Sequence, residues 1–404
     1  MGAKASRVRM TGPLVVYAPG FTSELTGAGY TENATADQVR LLAHLSRWLA
    51  AQGLGAADLT QEVGDAFLAA RRAAGYTLWL SRKALAPLLR YLRDIEVAPP
   101  EPCGPLGPTD ELLSRYRDYL STERGLAAST VNGYVDFVRP FVHRHEAADG
   151  TLHLEDLTAQ DITAFVVAEV PGRPTGSAKL TVTALRSLLG FLHVDGVVAR
   201  PLTSAVPSVA GTRLAGLPKA LRAEEVQRLL RSCDRTTAVG RRDFAVLTML
   251  ARLGMRRGEV ASLTLDDIHW RVGEIVVRGK GDRHEILPLP VDVGRAAVDY
   301  LRRGRPAAES RRVFLRVRAP HRPLTPGGIT AIVVGAAHKA GLPPMGAHRL
   351  RHTVATELLR ASAPLAEVGQ LLRHRNSLST AIYAKVDRHA LREIARPWPA
   401  GGAA

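Results

Sequence analysis

Apolar positions recur at helical spacing along most of the chain. Leu41, Leu42, Leu45, Trp48 and Leu49 fall on one helical face, as do Leu112, Leu113, Tyr116, Tyr119 and Leu120. The spacing predicts amphipathic helices through the first two hundred residues. These helices also echo one another. Leu59-Thr60 is followed by Phe67, and Leu157-Thr158 is followed at the same distance by Phe165. The run Ala84-Leu85-x-x-Leu88-Leu89-x-Tyr91-Leu92 returns as Ala184-Leu185-x-x-Leu188-Leu189-x-Phe191-Leu192. A degenerate duplication of one helical module of ~85–95 residues is the expectation.

The pattern changes after residue 220. Helical spacing over Glu224–Arg231 and Arg242–Leu253 gives way to two β-rich runs, Glu274-Ile275-Val276-Val277 and Glu285-Ile286-Leu287-Pro288-Leu289. They flank the turn Arg278-Gly279-Lys280-Gly281-Asp282-Arg283, whose glycines permit a tight reversal. Helical spacing resumes from about Thr325. Two breaks divide the chain. Residues 98–108 hold five prolines and two glycines, and residues 201–218 are rich in Pro, Gly, Ser and Ala. The expected domains are therefore 1–98, 108–206 and 217–396. The expected fold is mainly α, with a small antiparallel sheet or hairpin in the third domain.

Composition narrows the function. The 404 residues are ample for real hydrophobic cores. The formal net charge is +16, and seven lysines leave 47 arginines. Codon bias explains arginine over lysine, but not the net excess. A basic surface built from guanidinium suits a phosphate polyanion. Cys103 and Cys233 are the only cysteines, which excludes a disulfide framework and a cysteine zinc cluster. There is no long apolar run and no signal-like N-terminus, so no membrane association is expected and the expected compartment is the cytoplasm.

Four clusters carry candidate chemistry. His348, Arg351 and His352 share one helical face. The two histidines are spaced as in a zinc-protease helix, but Arg349 stands where that motif needs a Glu, and guanidinium neighbours repel a metal cation. Cations at a helix N-terminus favour an anion instead. Arg256 follows a helix that ends near Gly254, and Glu259 is placed three residues on to hold it. Lys280 sits in the hairpin turn, whose glycine spacing fails the pattern of an ATP-binding loop. Finally, His374 ends the apolar face of Leu365, Val368 and Leu372, and Tyr383 follows a run of N-cap residues.

In order, Gly-Met-Arg-x-x-Glu, Gly-Lys-Gly in a hairpin, His-x-Leu-Arg-His, Leu-x-His and a late Tyr form a set. This set resembles the tyrosine recombinase, or phage integrase, superfamily, most like its Xer-type members. The separations fit as well: 24 residues from Arg256 to Lys280, three from His348 to Arg351, 26 from His348 to His374 and nine from His374 to Tyr383. Leu217-Pro218-Lys219-Ala220-Leu221 looks like the entry into the family's catalytic domain. The resemblance implies a helical core-binding (SAM-like) domain over 108–206 and a catalytic domain over 217–396; residues 1–98 lie outside the family's minimal plan.

It also implies roles. Arg256 and Arg351 would clamp the scissile phosphate, Tyr383 would attack it, Lys280 would protonate the leaving 5′-oxygen, His348 would take or position the tyrosine proton, and His374 would hydrogen-bond the phosphate. Neither metal nor cofactor is implied. The implied partners are duplex DNA with an inverted-repeat core site and further copies of the chain, or related recombinase subunits, in a tetramer on two duplexes. The implied location is the nucleoid. Two departures stand out. Asp282-Arg283-His284-Glu285 replaces the family's frequent Asn-Lys-Glu-Arg, and the extra N-terminal module points to a mobile element rather than a housekeeping resolvase. A type IB topoisomerase shares the Arg, Lys, His and Tyr chemistry, but the spacing and the helical core-binding module disfavour it; six intact positions oppose an accessory subunit that has lost activity, and an ordinary nucleic-acid-binding regulator would explain the charge and nothing else.

Overall fold

The computed structural model describes residues 8–100, 107–210, 220–279 and 284–373. Helices dominate in three successive groups, each with its own hydrophobic core.

The first group holds α1 (Ala18–Gly27), α2 (Glu32–Ala51), α3 (Gln61–Ala73) and α4 (Arg82–Asp94). Thr31 and Thr60 start α2 and α3, their hydroxyls accepting from the N–H groups of Ala34 and Val63. Phe21, Leu42, Leu45, Leu49, Phe67 and Leu92 fill the core. The second group holds α5 (Pro108–Asp118), α6 (Ala128–Arg144), α7 (Ala159–Glu169) and α8 (Thr175–Val194). Thr158 opens α7 with a reciprocal cap to Asp161. The helical run expected through Leu120 changes character at Tyr119–Glu123, a π-helical turn, before Gly125 reverses the chain at φ +57°. Thr60 and Thr158 both cap helices, and Phe67 and Phe165 are both buried seven residues on.

The third group is α9 (Ala223–Arg231), α10 (Ala238–Leu253), α11 (Arg257–Ser262), strands β1 (Ile268–His269), β2 (Glu274–Arg278) and β3 (His284–Pro288), then α12 (Val291–Arg303), α13 (Pro326–Lys339), α14 (His348–Arg360) and α15 (Leu365–Leu371). The expected helix from Arg242 begins four residues earlier, because Thr237 caps it by accepting from Gly240 N–H. The expected hairpin gains a third strand. The sheet runs β1-β2-β3, antiparallel, with Ile275 opposite both Ile268 and Leu287. Val246, Leu247, Met249 and Leu250 of α10 are all buried, so the middle of this helix is enclosed on every side and forms the axis of the main core. A smaller core of Val354, Ala355, Leu359, Val368 and Leu372 joins α14 to α15.

Of the described residues, 8–100, 220–279 and 284–373 form one compact unit, and 107–210 form another. Within the first unit, His321 donates its backbone N–H to the Ala28 carbonyl at 3.1 Å. Gly29, at φ +83°, lies against the His321 ring so closely that a Cβ would collide with it. No helix among the described residues is long and apolar enough to cross a membrane.

Candidate active site

Helix α10 stops at Gly254, which takes the left-handed conformation at φ +58°. Met255 then turns inward, and Arg256 becomes the N-cap residue of α11. Glu259, in the first turn of α11, faces back. Its Oε2 accepts from the Arg256 backbone N–H at 2.8 Å, and its Oε1 accepts from Arg256 Nη1 at 2.6 Å. Arg256 Nη2 donates to the Arg373 carbonyl at 2.8 Å. The Arg256 guanidinium is thus fixed at both ends of its fork while its side chain stays 41% exposed. A carboxylate at i+3 normally lies on a solvated face; this one is only 5% exposed. Burial pushes its carboxyl up, but Arg373 and Arg256 outweigh that and hold it below the ordinary carboxylate range.

Helix α14 packs against α10 and carries the second half of the site. Arg351 is 1% exposed, and its Nη1 donates to the Gly254 carbonyl at 2.6 Å. His348 is the first residue of α14. Burial lowers its pKa, and Arg351, Arg256 and Arg257 lower it further, so the imidazole is neutral near pH 7. His352 meets His348 edge to face, ring centroids 4.6 Å apart, and is pushed down to about 4 by burial and by His348 and Arg351. The structure therefore brings Arg256, His348 and Arg351 together across the α10–α11 junction. No group of three or more metal-binding side chains occurs among the described residues.

Lys280, His374 and Tyr383 lie outside the described residues. Their flanks are described. Arg278, two residues before Lys280, pairs across the hairpin with His284. Its Nε and Nη2 donate to Asp267 Oδ1 at 3.1 and 2.9 Å, and buried Asp267 also accepts from Thr264 N and Oγ1. This pins the base of the hairpin.

The sequence reading missed two groups here. The Gly254 carbonyl was invisible because only a fold brings a backbone oxygen 97 residues back to Arg351. Arg373 was missed because Leu-x-His leaves that position open. Its only sequence signal is its place beside His374.

Residues 219–389 match the phage integrase family, and residues 113–196 match the phage integrase N-terminal SAM-like domain. The protein named as integrase/recombinase y4rA of Sinorhizobium fredii (strain NBRC 101917 / NGR234) is 40% identical over 96% of this chain and 95% of its own. The tyrosine recombinase XerD of Listeria monocytogenes serotype 4b (strain F2365) is 32% identical over 70% of this chain and 97% of its own. The XerH site-specific recombinase in its post-cleavage complex with a palindromic difH substrate shares the fold. Its TM-score is 0.54 at 19% identity, covering 88% of this chain and 94% of that one. The chain belongs to the phage integrase family and is a tyrosine-type site-specific DNA recombinase.

Proposed function

We propose that this chain cuts and rejoins duplex DNA at an inverted-repeat core site through a 3′-phosphotyrosyl intermediate, with Arg256, Lys280, His348, Arg351, His374 and Tyr383 as its catalytic residues. The convergence of Arg256 and Arg351 beside a neutral His348 carries the reading. Two immobilised guanidiniums match the non-bridging oxygens of a phosphodiester and stabilise the charge that grows in a pentacoordinate transition state. Tyr383 Oη attacks phosphorus, its proton passing to His348. The P–O5′ bond breaks, and the 5′-oxygen leaves with a proton from Lys280. His374 hydrogen-bonds the phosphate. Attack by a different 5′-hydroxyl reverses the step and joins the new strands. The phosphotyrosine conserves the bond, so ATP is not required. The arginines neutralise the phosphate, so no metal is required either.

Exchange between two duplexes breaks four strands, and each chain carries one nucleophile. Four subunits, identical or related, are therefore needed, and nucleoid DNA is where they act. The N-terminal module, absent from the minimal family plan, suits a mobile element whose site extends past the core. Its matched caps and buried aromatics support a duplication of the core-binding helices.

The test is a nicked duplex carrying the inverted repeat that the protein selects from random-sequence DNA. Cleavage there loses the short strand and traps the adduct. The expected result is a denaturation-resistant protein–DNA complex that Tyr383→Phe abolishes without weakening DNA binding. An adduct that persists in the variant would mean another nucleophile.

A further inference from the structure

We propose that Arg373 is a positioning residue that aims Arg256 at the scissile phosphate and keeps the positive charge there unspent. The proposal rests on the assignment of Arg256 to that phosphate.

Three observations support it. Arg373 adopts φ +55°, a left-handed conformation that a non-glycine residue takes only under strain. Strain of that kind persists where surrounding contacts hold the residue in place. The contacts are present: Arg373 is 8% exposed, and its Nη2 donates to Glu259 Oε2 at 2.8 Å. Arg373 also reaches Arg256 by two routes. Its carbonyl accepts from Arg256 Nη2, and its guanidinium shares the Glu259 carboxylate with Arg256 Nη1 and the Arg256 backbone N–H.

Charge makes the arrangement consequential. Arg256 and Glu259 alone would be a neutral pair, and a buried carboxylate would draw the guanidinium away from an incoming phosphate. With Arg373 the group is two cations on one carboxylate. Glu259 is neutralised from the dry side, and Arg256 keeps its attraction for an anion on the exposed side. Among the described residues, the other acidic group facing Arg373 is Glu285 of β3. Its Oε2 is 3.7 Å from Arg373 Nε, and its side chain is 44% exposed, so solvent screens it. Such triads seldom raise stability over an apolar filling, which leaves geometry and charge as what Arg373 contributes.

The test compares two nicked duplexes built on the selected inverted repeat, one with a normal scissile phosphate and one with a methylphosphonate. The methylphosphonate lacks one non-bridging charge and needs less guanidinium stabilisation. Arg373→Asn removes the cation, and asparagine tolerates the left-handed backbone. It is expected to cut cleavage of the normal duplex ~10–100-fold, less than Arg256→Ala, with DNA affinity kept. Both variants are expected to recover on the methylphosphonate. Arg373→Lys keeps the charge but not the fork, should fall between, and carries the same comparison if the asparagine variant does not fold. Wild-type cleavage of the normal duplex by Arg373→Asn overturns the proposal. So does an equal defect on both duplexes while Arg256→Ala is rescued, which would make Arg373 a purely structural residue. An Arg256→Ala variant that is undamaged, or is not rescued, overturns the assignment of Arg256 and this proposal with it.

Discussion

Arg351 Nη1 donates to the carbonyl of Gly254, two residues before Arg256. One glycine thus ends α10, accepts the second arginine and sets the direction from which the first departs. Its φ of +58° excludes most side chains on conformation, and an added Cβ would lie 2.8 Å from Leu372 Cδ2. Gly254→Ala is expected to cost about 1–2 kcal/mol of stability. Cleavage should fall by more than the unfolded fraction explains, because both arginines shift. Chemical denaturation alongside single-turnover cleavage separates the two effects; cleavage that tracks only the folded fraction would mean that Gly254 serves the helix end alone.

Arg256→Ala and Arg351→Ala should differ in stability and agree in chemistry. In the proposed mechanism each removes a preorganised contact to the transition state, worth about 3–4 kcal/mol or ~10²–10³ in cleavage rate. Arg256 is partly exposed, and Glu259 keeps Arg373 and the Arg256 backbone N–H when the side chain is lost, so that variant should melt only modestly earlier. Arg351 is dry, and its removal opens a cavity and strips the Gly254 carbonyl of its donor, so that variant should melt earlier still. A calorimetric scan and a cleavage time course on each variant check both halves.

Cleavage should continue in EDTA, since the proposed mechanism uses the arginines and Lys280 where metal-dependent nucleases use a divalent ion. Loss of activity on chelation, restored by Mg²⁺, would count against the proposed roles. Lys280→Ala should be rescued by a bridging 5′-sulfur at the scissile position, because a thiolate leaves without a proton. Arg256→Ala should not be rescued, since its contact is to non-bridging oxygens.

Acid should weaken both the chemistry and the fold. His348 and His352 have pKa values below that of a free histidine, so the unfolded chain binds their protons more tightly than the folded chain does. Stability is fully present above about pH 6.5 and is lost as pH falls through the folded values, which for His352 means towards about 4. Each unit of depression corresponds to about 1.4 kcal/mol. His352→Phe should flatten the stability profile between those limits. In cleavage, the acid limb should follow protonation of His348, because only the neutral ring can take the tyrosine proton. Melting curves from pH 4 to 8 on wild type and variant are the check.

How much was legible beforehand depended on the range of the signal. Leu45 and Leu49, or Leu185 and Leu188, announce their helices because i, i+3, i+4 spacing is a local property. Thr60 and Thr158 were legible only as members of a repeat, and their capping of α3 and α7 came from the structure. The hairpin was legible from Ile275 and Leu287, but β1 was not, since two residues carry no periodicity and Ile268 joins the sheet only by pairing with Ile275. In the site, Arg256, His348 and Arg351 were recognisable as types at characteristic separations. The burial of Glu259 was not, because Arg373 arrives from 114 residues away to make a dry carboxylate tolerable.

The two cores of the C-terminal part imply two tiers of protection. Amides of α10, enclosed by the main core, should exchange with solvent only when the whole catalytic fold opens. Those of α15 belong to the small core with Val354, Leu359 and Leu372, whose apolar area is far less. They should exchange through a partial opening that leaves α10 closed. That opening should therefore loosen first the packing on α14, the helix that carries His348 and Arg351, while α10 stays closed.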